Sequence, residues 1–226
     1  DDQELNDYMN AVGKDIFTVE LARTLKQFEQ ATMFGSLIRP VIHAPDAALN
    51  ILAEKGMHNN LQLRTTHQRV EKILLQAKYL AEQYHVVVAN PPYMGGKGMN
   101  SELALFLKKE FPDFKSDLFS AFVVRNTCLT KPFGFLGFMT PFVWMFISSY
   151  EKLRLYLVEE KTITSLIQLE YSGFEGATVP ICTFTLQNAF KPHYRGGYVR
   201  LSDFKGSAIQ GPKTLEIIKA AKEGFD

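Results

Sequence analysis

Val86-Val87-Val88-Ala89-Asn90-Pro91-Pro92-Tyr93 is the stretch on which the fold turns. The apolar, β-branched residues that open it belong to a strand expected over 85–89. Asn90 precedes a proline, which pushes its backbone toward the extended region. Pro91 and Pro92 have fixed φ and no N–H. The loop leaving the strand therefore offers the Asn90 side-chain oxygen and the Pro91 carbonyl as acceptors, with few competing donors, beside the aromatic face of Tyr93. In an open α/β sheet, chemistry sits at the carboxyl ends of the strands. Such a pocket fits a planar group bearing an amino group, the amine donating two hydrogen bonds while the ring stacks on the tyrosine. A tight Asn-Pro-Pro turn leaving a core strand is the plainer alternative.

The pattern upstream is helical. Leu5, Tyr8, Met9, Val12 and Ile16 keep a helical period, and Phe17, Leu21, Leu25 and Phe28 form a second stripe. A break at Phe34-Gly35-Ser36 and prolines at 40 and 45 precede a short helix near 46–55. A longer one follows, with Val70, Ile73, Leu74, Ala77, Leu80, Ala81 and Tyr84 on one face. These stripes are read as core seams. Downstream the pattern alternates: helices over 102–110 and 117–130, a strand over Phe133 to Met139, a helix over Tyr150 to Glu159, then strands over 163–169 and 179–186. A basic segment covers 191–202, and a closing helix is expected over 213–222. Strands separated by helices predict an α/β fold with a mostly parallel sheet. The last two strands lie too close for a helical crossover and are expected as an antiparallel pair.

With 226 residues, 46% hydrophobic content and 18 Phe, the chain has material for a substantial core. A net charge of +1 gives no global field for nucleic acid, so any DNA affinity is local or supplied elsewhere. Cys128 and Cys182 have neither disulfide-framework nor zinc spacing, no signal-peptide pattern opens the chain, and a reducing cytoplasm is the expected location. No metal site is expected. The uncharged span Pro132 to Tyr150 is interrupted by Gly134, Gly137 and Pro141, which argues against a membrane helix.

The tetrapeptide resembles motif IV of the amino-methyltransferases, which transfer methyl from S-adenosylmethionine to exocyclic or amide nitrogens. Lys115-Ser116-Asp117-Leu118-Phe119-Ser120-Ala121-Phe122 is similar to motif V of the gamma-class N6-adenine DNA methyltransferases. Gly134 to Pro141 looks like their motif VI strand, and Phe174-Glu175-Gly176-Ala177-Thr178-Val179-Pro180-Ile181-Cys182 resembles motif VIII. From Phe34 to about Asn188 the run is closest to the large single-chain enzymes of type IIG restriction systems and BREX-type phage defence. The resemblance implies a partial Rossmann-like methyltransferase domain preceded by a helical region. Residues 1–84 would be that region, 85–190 the target-amine half, and 191–226 a linker or the start of a target-recognition region. It further implies that Asn90, Pro91, Pro92 and Tyr93 are the catalytic tetrapeptide, with Asn90 and Pro91 binding the amine, and that Tyr93 and Phe174 stack on a flipped adenine. Asp117, Leu118 and Phe122 would line the cofactor's adenosine side. Lys97, in the Gly95–Gly98 loop, and Lys191, Arg195 and Arg200 are the candidate contacts to double-stranded DNA.

The family's glycine-rich cofactor loop is expected before the Asn-Pro-Pro-Tyr element. Before Asn90 the glycines are Gly13, Gly35 and Gly56, and none sits between a strand and a helix. The chain therefore reads as an internal fragment of a longer adenine-specific DNA methyltransferase, inactive by itself, with S-adenosylmethionine bound by the parent protein. Two alternatives stay open: a protein-glutamine or RNA methyltransferase with the same tetrapeptide, and an inert binding module. Strand 85–89 should form a sheet edge open to self-association, and restriction or defence-complex subunits are the further partners expected.

Overall fold

The helical stripes of the first third fold into one unit, residues 1–83, and the strands into another, residues 84–226. In the computed structural model the described residues are 2–13, 16–55, 61–171 and 179–223. The first unit consists of α1 (Asp2–Val12), α2 (Ile16–Phe28), the short α3 (Ala31–Phe34), α4 (Pro45–Lys55) and α5 (Leu61–Ala81). Their stripes meet as helical spacing requires, with Tyr8, Leu21, Leu52, Leu74 and Ala77 wholly buried. A polar pair lies in this core. The Tyr8 hydroxyl pairs with His67 Nδ1 at 2.8 Å, and His67 Nε2 lies 3.5 Å from Glu71. A buried phenol needs such a partner, and burial pushes its pKa up. His67 shares a face of α5 with Val70 and Leu74, so its burial follows from spacing.

The second unit is a five-stranded sheet in the order β1-β2-β4-β3-β5. Its strands are β1 (Tyr84–Ala89), β2 (Thr130–Pro141), β3 (Thr162–Gln168), β4 (Ile181–Gln187) and β5 (Gly197–Arg200). β1 pairs parallel with β2 and β3 parallel with β5, while both ladders of β4 are antiparallel. Four strands thus share one direction and β4 reverses, which accommodates the expected mostly parallel sheet and its antiparallel pair. The helices are α6 (Ser101–Glu110), α7 (Leu118–Cys128), α8 (Glu151–Glu159) and α9 (Ser207–Glu223).

One face of the sheet carries the core. Leu136, Phe138, Leu166, Phe184 and Leu186 pack with Phe119, Val123 and Val124 of α7, Leu153 and Leu157 of α8, and Trp144. Each buried Leu or Phe contributes about 1.5–3 kcal/mol, enough in aggregate to hold α7 firmly against the strands. Val87 and Ala89 of β1 join that core, while Val86 and Val88, on the opposite face, are 60% and 76% exposed. β1 is an edge strand among the described residues.

Three elements, β2, the basic segment and the closing helix, differ from the sequence reading. β2 begins at Thr130, three residues earlier than expected, because an irregularity lets it continue. Tyr84 pairs with Thr130, but Val86 pairs with Phe135. The extra residues are held from the far side: Asn188 Nδ2 donates to the carbonyls of Thr127 and Thr130 at 3.0 and 2.8 Å, and Gln187 Nε2 to that of Phe133 at 3.0 Å. Phe133 takes a left-handed φ of 64° there. The uncharged span up to Tyr150 is the rest of β2 plus 3-10 turns at Phe142–Met145 and Ser148–Tyr150. No helix among the described residues is long and apolar enough to cross a membrane. The basic segment contains β5, a strand too short and too exposed to show a period. It docks because a Cβ at Gly196 would lie 2.5 Å from the Ile163 carbonyl, so only glycine permits the approach. Finally, α9 starts at Ser207 rather than beyond Pro212, which it contains. Gln210 anchors that early turn, accepting from the Glu170 amide at 3.1 Å and donating to the Phe204 carbonyl.

Gly134 is the tightest point of the β1–β2 ladder. A Cβ there would lie 2.7 Å from Thr130 Cγ2 and 2.8 Å from the His85 carbonyl. Gly134→Ala is expected to cost about 1–3 kcal/mol through overpacking, read as a lowered denaturation midpoint with an unchanged urea m-value.

Candidate active site

The ladder registers define two edges of the sheet. Ala89 pairs with Phe138, Pro141 with Ile181, Cys182 with Gln168, and Gln168 with Arg200. Asn90, Pro141, Gln168 and Arg200 therefore lie along one edge. Tyr84, Thr130, Thr162 and Gln187 mark the other.

Asn90 stands exposed at the carboxyl end of β1, Pro91 is buried beneath it, and Pro92 is exposed. The prolines turn the chain so that Tyr93 folds back over the strand end. Its hydroxyl donates to Asn90 Oδ1 at 2.7 Å and also lies 3.1 Å from the Met139 carbonyl of β2. The ring of Tyr93 meets Phe119 edge-on at 6.5 Å, and Phe119 stacks on Tyr150 at 5.5 Å. An aromatic column thus runs from the loop into the core. A carbonyl oxygen has two lone pairs, so Asn90 Oδ1 keeps one free for a further donor while Tyr93 fixes its direction.

Asp117 ties the next residue down. Its Oδ1 accepts from the Met94 amide at 2.9 Å and from the Phe119 amide at 3.2 Å, the latter capping α7. The Leu118 amide donates back to the Met94 carbonyl at 3.0 Å, and Gly95 forms an isolated bridge with Asp117. Burial raises the Asp117 pKa against the opposing pull of these amides. Below the loop, Thr140 Oγ1 lies 3.6 Å from the buried Cys182 Sγ, whose pKa burial also raises. Tyr150 is pushed up to about 12, first by burial and then by the charge of Asp117.

The candidate residues do not all converge. Asn90, Pro91, Pro92, Tyr93 and Asp117 form one cluster. Leu118 is buried at the start of α7 and Phe122 half-buried one turn on. Lys97 is exposed in the turn closed by the Gly98 amide on the Gly95 carbonyl at 2.8 Å. Lys191 is on the opposite edge from Asn90, its amide on Thr162 Oγ1 at 2.9 Å, and Arg195 is beside it in the segment leading to β5. Arg200 is on the Asn90 edge, with Asp203 3.9 Å away. Phe174 lies outside the described residues. Sequence reading missed the Met139 carbonyl, Thr140, Tyr150 and Cys182. The pairing of β2 with β1 and β4 brings Met139, Thr140 and Cys182 together there, and Tyr150 joins through Phe119, although the Thr140-Pro141 strand end was a visible signal.

Residues 13–174 match the family model described as the Eco57I restriction-modification methylase. The chain belongs to this family of restriction-modification methylases. Its similar relatives include the adenine-specific methyltransferase BrxX of Escherichia coli O9:H4 (strain HS), 38% identical over 190 residues, covering 81% of this chain and 16% of that protein. The adenine-specific methyltransferase PglX of Lacticaseibacillus casei (strain Zhang) is 30% identical, covering 99% of this chain and 20% of that protein. The type II restriction enzyme and methyltransferase RM.Eco57I of Escherichia coli is 30% identical over 54% of this chain and 13% of its own length. The chain spans between 16% and 20% of the length of the first two relatives.

Burial raises the Tyr93 pKa above 10.0, with a smaller contribution from Cys182. The folded state then holds this phenolic proton more tightly than the unfolded state. Its stabilisation is present below about pH 10 and is lost as pH rises toward the folded pKa. Tyr93→Phe is therefore expected to flatten part of the alkaline loss of stability, measured by thermal denaturation between pH 8 and pH 11.

Proposed function

We propose that the protein containing this chain is an adenine-specific DNA methyltransferase of a restriction-modification or phage-defence system, and that this segment holds the target amine. The observation that carries the reading is the acceptor that Asn90 presents at the end of β1. Asn90 is exposed there with its oxygen directed by Tyr93, in a chain of a restriction-modification methylase family. An exocyclic adenine amine is a poor nucleophile because its lone pair is delocalised into the ring. Donating to Asn90 Oδ1 and the Pro91 carbonyl draws the nitrogen toward a tetrahedral geometry and stabilises the positive charge that develops on it. Tyr93 supplies a stacking face for a base rotated out of the duplex. Such stacking recovers about 1–3 kcal/mol per base against the cost of extrusion. The hydroxyl contacts to Asn90 and Met139 hold that ring in place.

The methyl donor in this reading is S-adenosylmethionine, which supplies an electrophilic methyl group when bound. The described residues do not fit as its methionine cradle. The Asp117 carboxylate is engaged by backbone amides, and the Gly95–Gly98 loop follows Asn90 rather than leading from a strand into a helix. The donor's glycine-rich loop is assigned to other parts of the full-length protein. Double-stranded DNA and other subunits of a defence complex are the proposed partners, with Lys97 and Arg200 placed to meet phosphates on the Asn90 edge. Lys191 and Arg195, on the opposite edge, are less well placed to reach the same duplex.

Replacing Asn90 by Ala in the full-length protein should abolish N6-methyladenine at its sites in host DNA, read by methylation-sensitive sequencing. Methylation at the wild-type level would reject the assignment. Calorimetry of the 226-residue chain with S-adenosylmethionine should give no heat of binding, and micromolar affinity would overturn the placement of the donor loop elsewhere.

A further inference from the structure

We infer that Asp117 is the positioning residue of the target-amine loop rather than a contact to the cofactor. The inference rests on the methyltransferase reading above. Oδ1 of this residue serves two elements at once, accepting from Met94, immediately after Tyr93, and from Phe119, in the first turn of α7. The Leu118 amide returns a bond to the Met94 carbonyl, so the loop and the helix start are joined in both directions.

α7 is a suitable anchor. Phe119, Ala121 and Val123 are wholly buried, and Phe119 also bears on the Tyr93 ring. The loop is otherwise weakly held past Tyr93. Gly95, Gly96, Lys97 and Gly98 are all exposed. A catalytic group carried on a loop works only as well as its support, and Asp117 connects this loop to the core of the sheet. Asp117 is itself 9% exposed, and with Oδ1 given to two amides it is poorly disposed to hold a ribose or an amine of a cofactor. Asparagine would keep an acceptor oxygen at the same reach. Alanine would leave both amides without it, and glutamate would displace the oxygen by one methylene.

The test compares the full-length wild-type protein with D117N, D117A and D117E on a DNA duplex carrying its site. A misplacement of about 1 Å costs about a hundredfold in rate. D117A and D117E are therefore expected to lose about 30- to 100-fold in kcat, with KM for S-adenosylmethionine within about twofold, while D117N stays within about threefold of wild type in both. Independently of activity, amide hydrogen exchange over residues 90–98 should accelerate in D117A and D117E and remain near wild type in D117N. If D117A does not fold, D117E carries the same comparison. A raised KM for S-adenosylmethionine with kcat retained would overturn the inference in favour of cofactor contact, and so would unchanged exchange in both D117A and D117E. Wild-type protein that methylates no adenine in DNA would refute the function instead, and the exchange measurement would still decide whether Asp117 holds the loop.

Discussion

The parallel ladder between β1 and β2 is the constraint on which the site depends. Pairing Ala89 with Phe138 sets the end of β1 level with Met139 and Thr140. Only then does the Tyr93 hydroxyl find both Asn90 Oδ1 and the Met139 carbonyl. Side chains alternate along a strand, so a slip of one residue would send Val87 and Ala89 outward and Val86 and Val88 into the core. The ladder is fixed at its other end by the irregularity around Gly134 and by Asn188, which ties down the carbonyls on which β2 begins. Residues more than forty positions from Asn90 thereby decide where Asn90 points.

The site itself is built of backbone held by a few side chains. Prolines remove competing donors, Tyr93 directs one acceptor, and Asp117 attaches the chain beyond it to α7. Tyr93 and Asp117 are engaged by bonds to neighbours, while Asn90 stays exposed at the end of β1. The aromatic column of Tyr93, Phe119 and Tyr150 carries the loop's support into the core. The support of the loop and the packing of the core therefore share the same residues.

Edge order also separates residues that a linear reading groups together. Lys191, Arg195 and Arg200 form one basic segment in the sequence, yet β5 between them runs toward the Asn90 edge of the sheet. Arg200 reaches the Asn90 edge, and the other two remain opposite. The exposed Val86 and Val88 likewise follow from the position of β1 at the end of the strand order rather than from composition.

The local chemistry was legible in the sequence. Proline geometry placed Asn90 and Tyr93 on an extended loop, apolar periods marked the helices of the first unit and the buried α7, and the short connection after β3 required an antiparallel partner. These features depend on neighbours along the chain, where propensity and spacing act. What the tertiary structure decided depends on residues far apart in sequence. The insertion of β4 between β2 and β3, the docking of β5 through Gly196, the pairing of Tyr8 with His67 and the engagement of Asp117 by Met94 all require strands or helices to meet first. Asp117 shows the difference most clearly. Its place in the motif was readable as a string of letters, but the partner of its carboxylate is a backbone amide 23 residues away, and only folding brings the two within hydrogen-bonding distance.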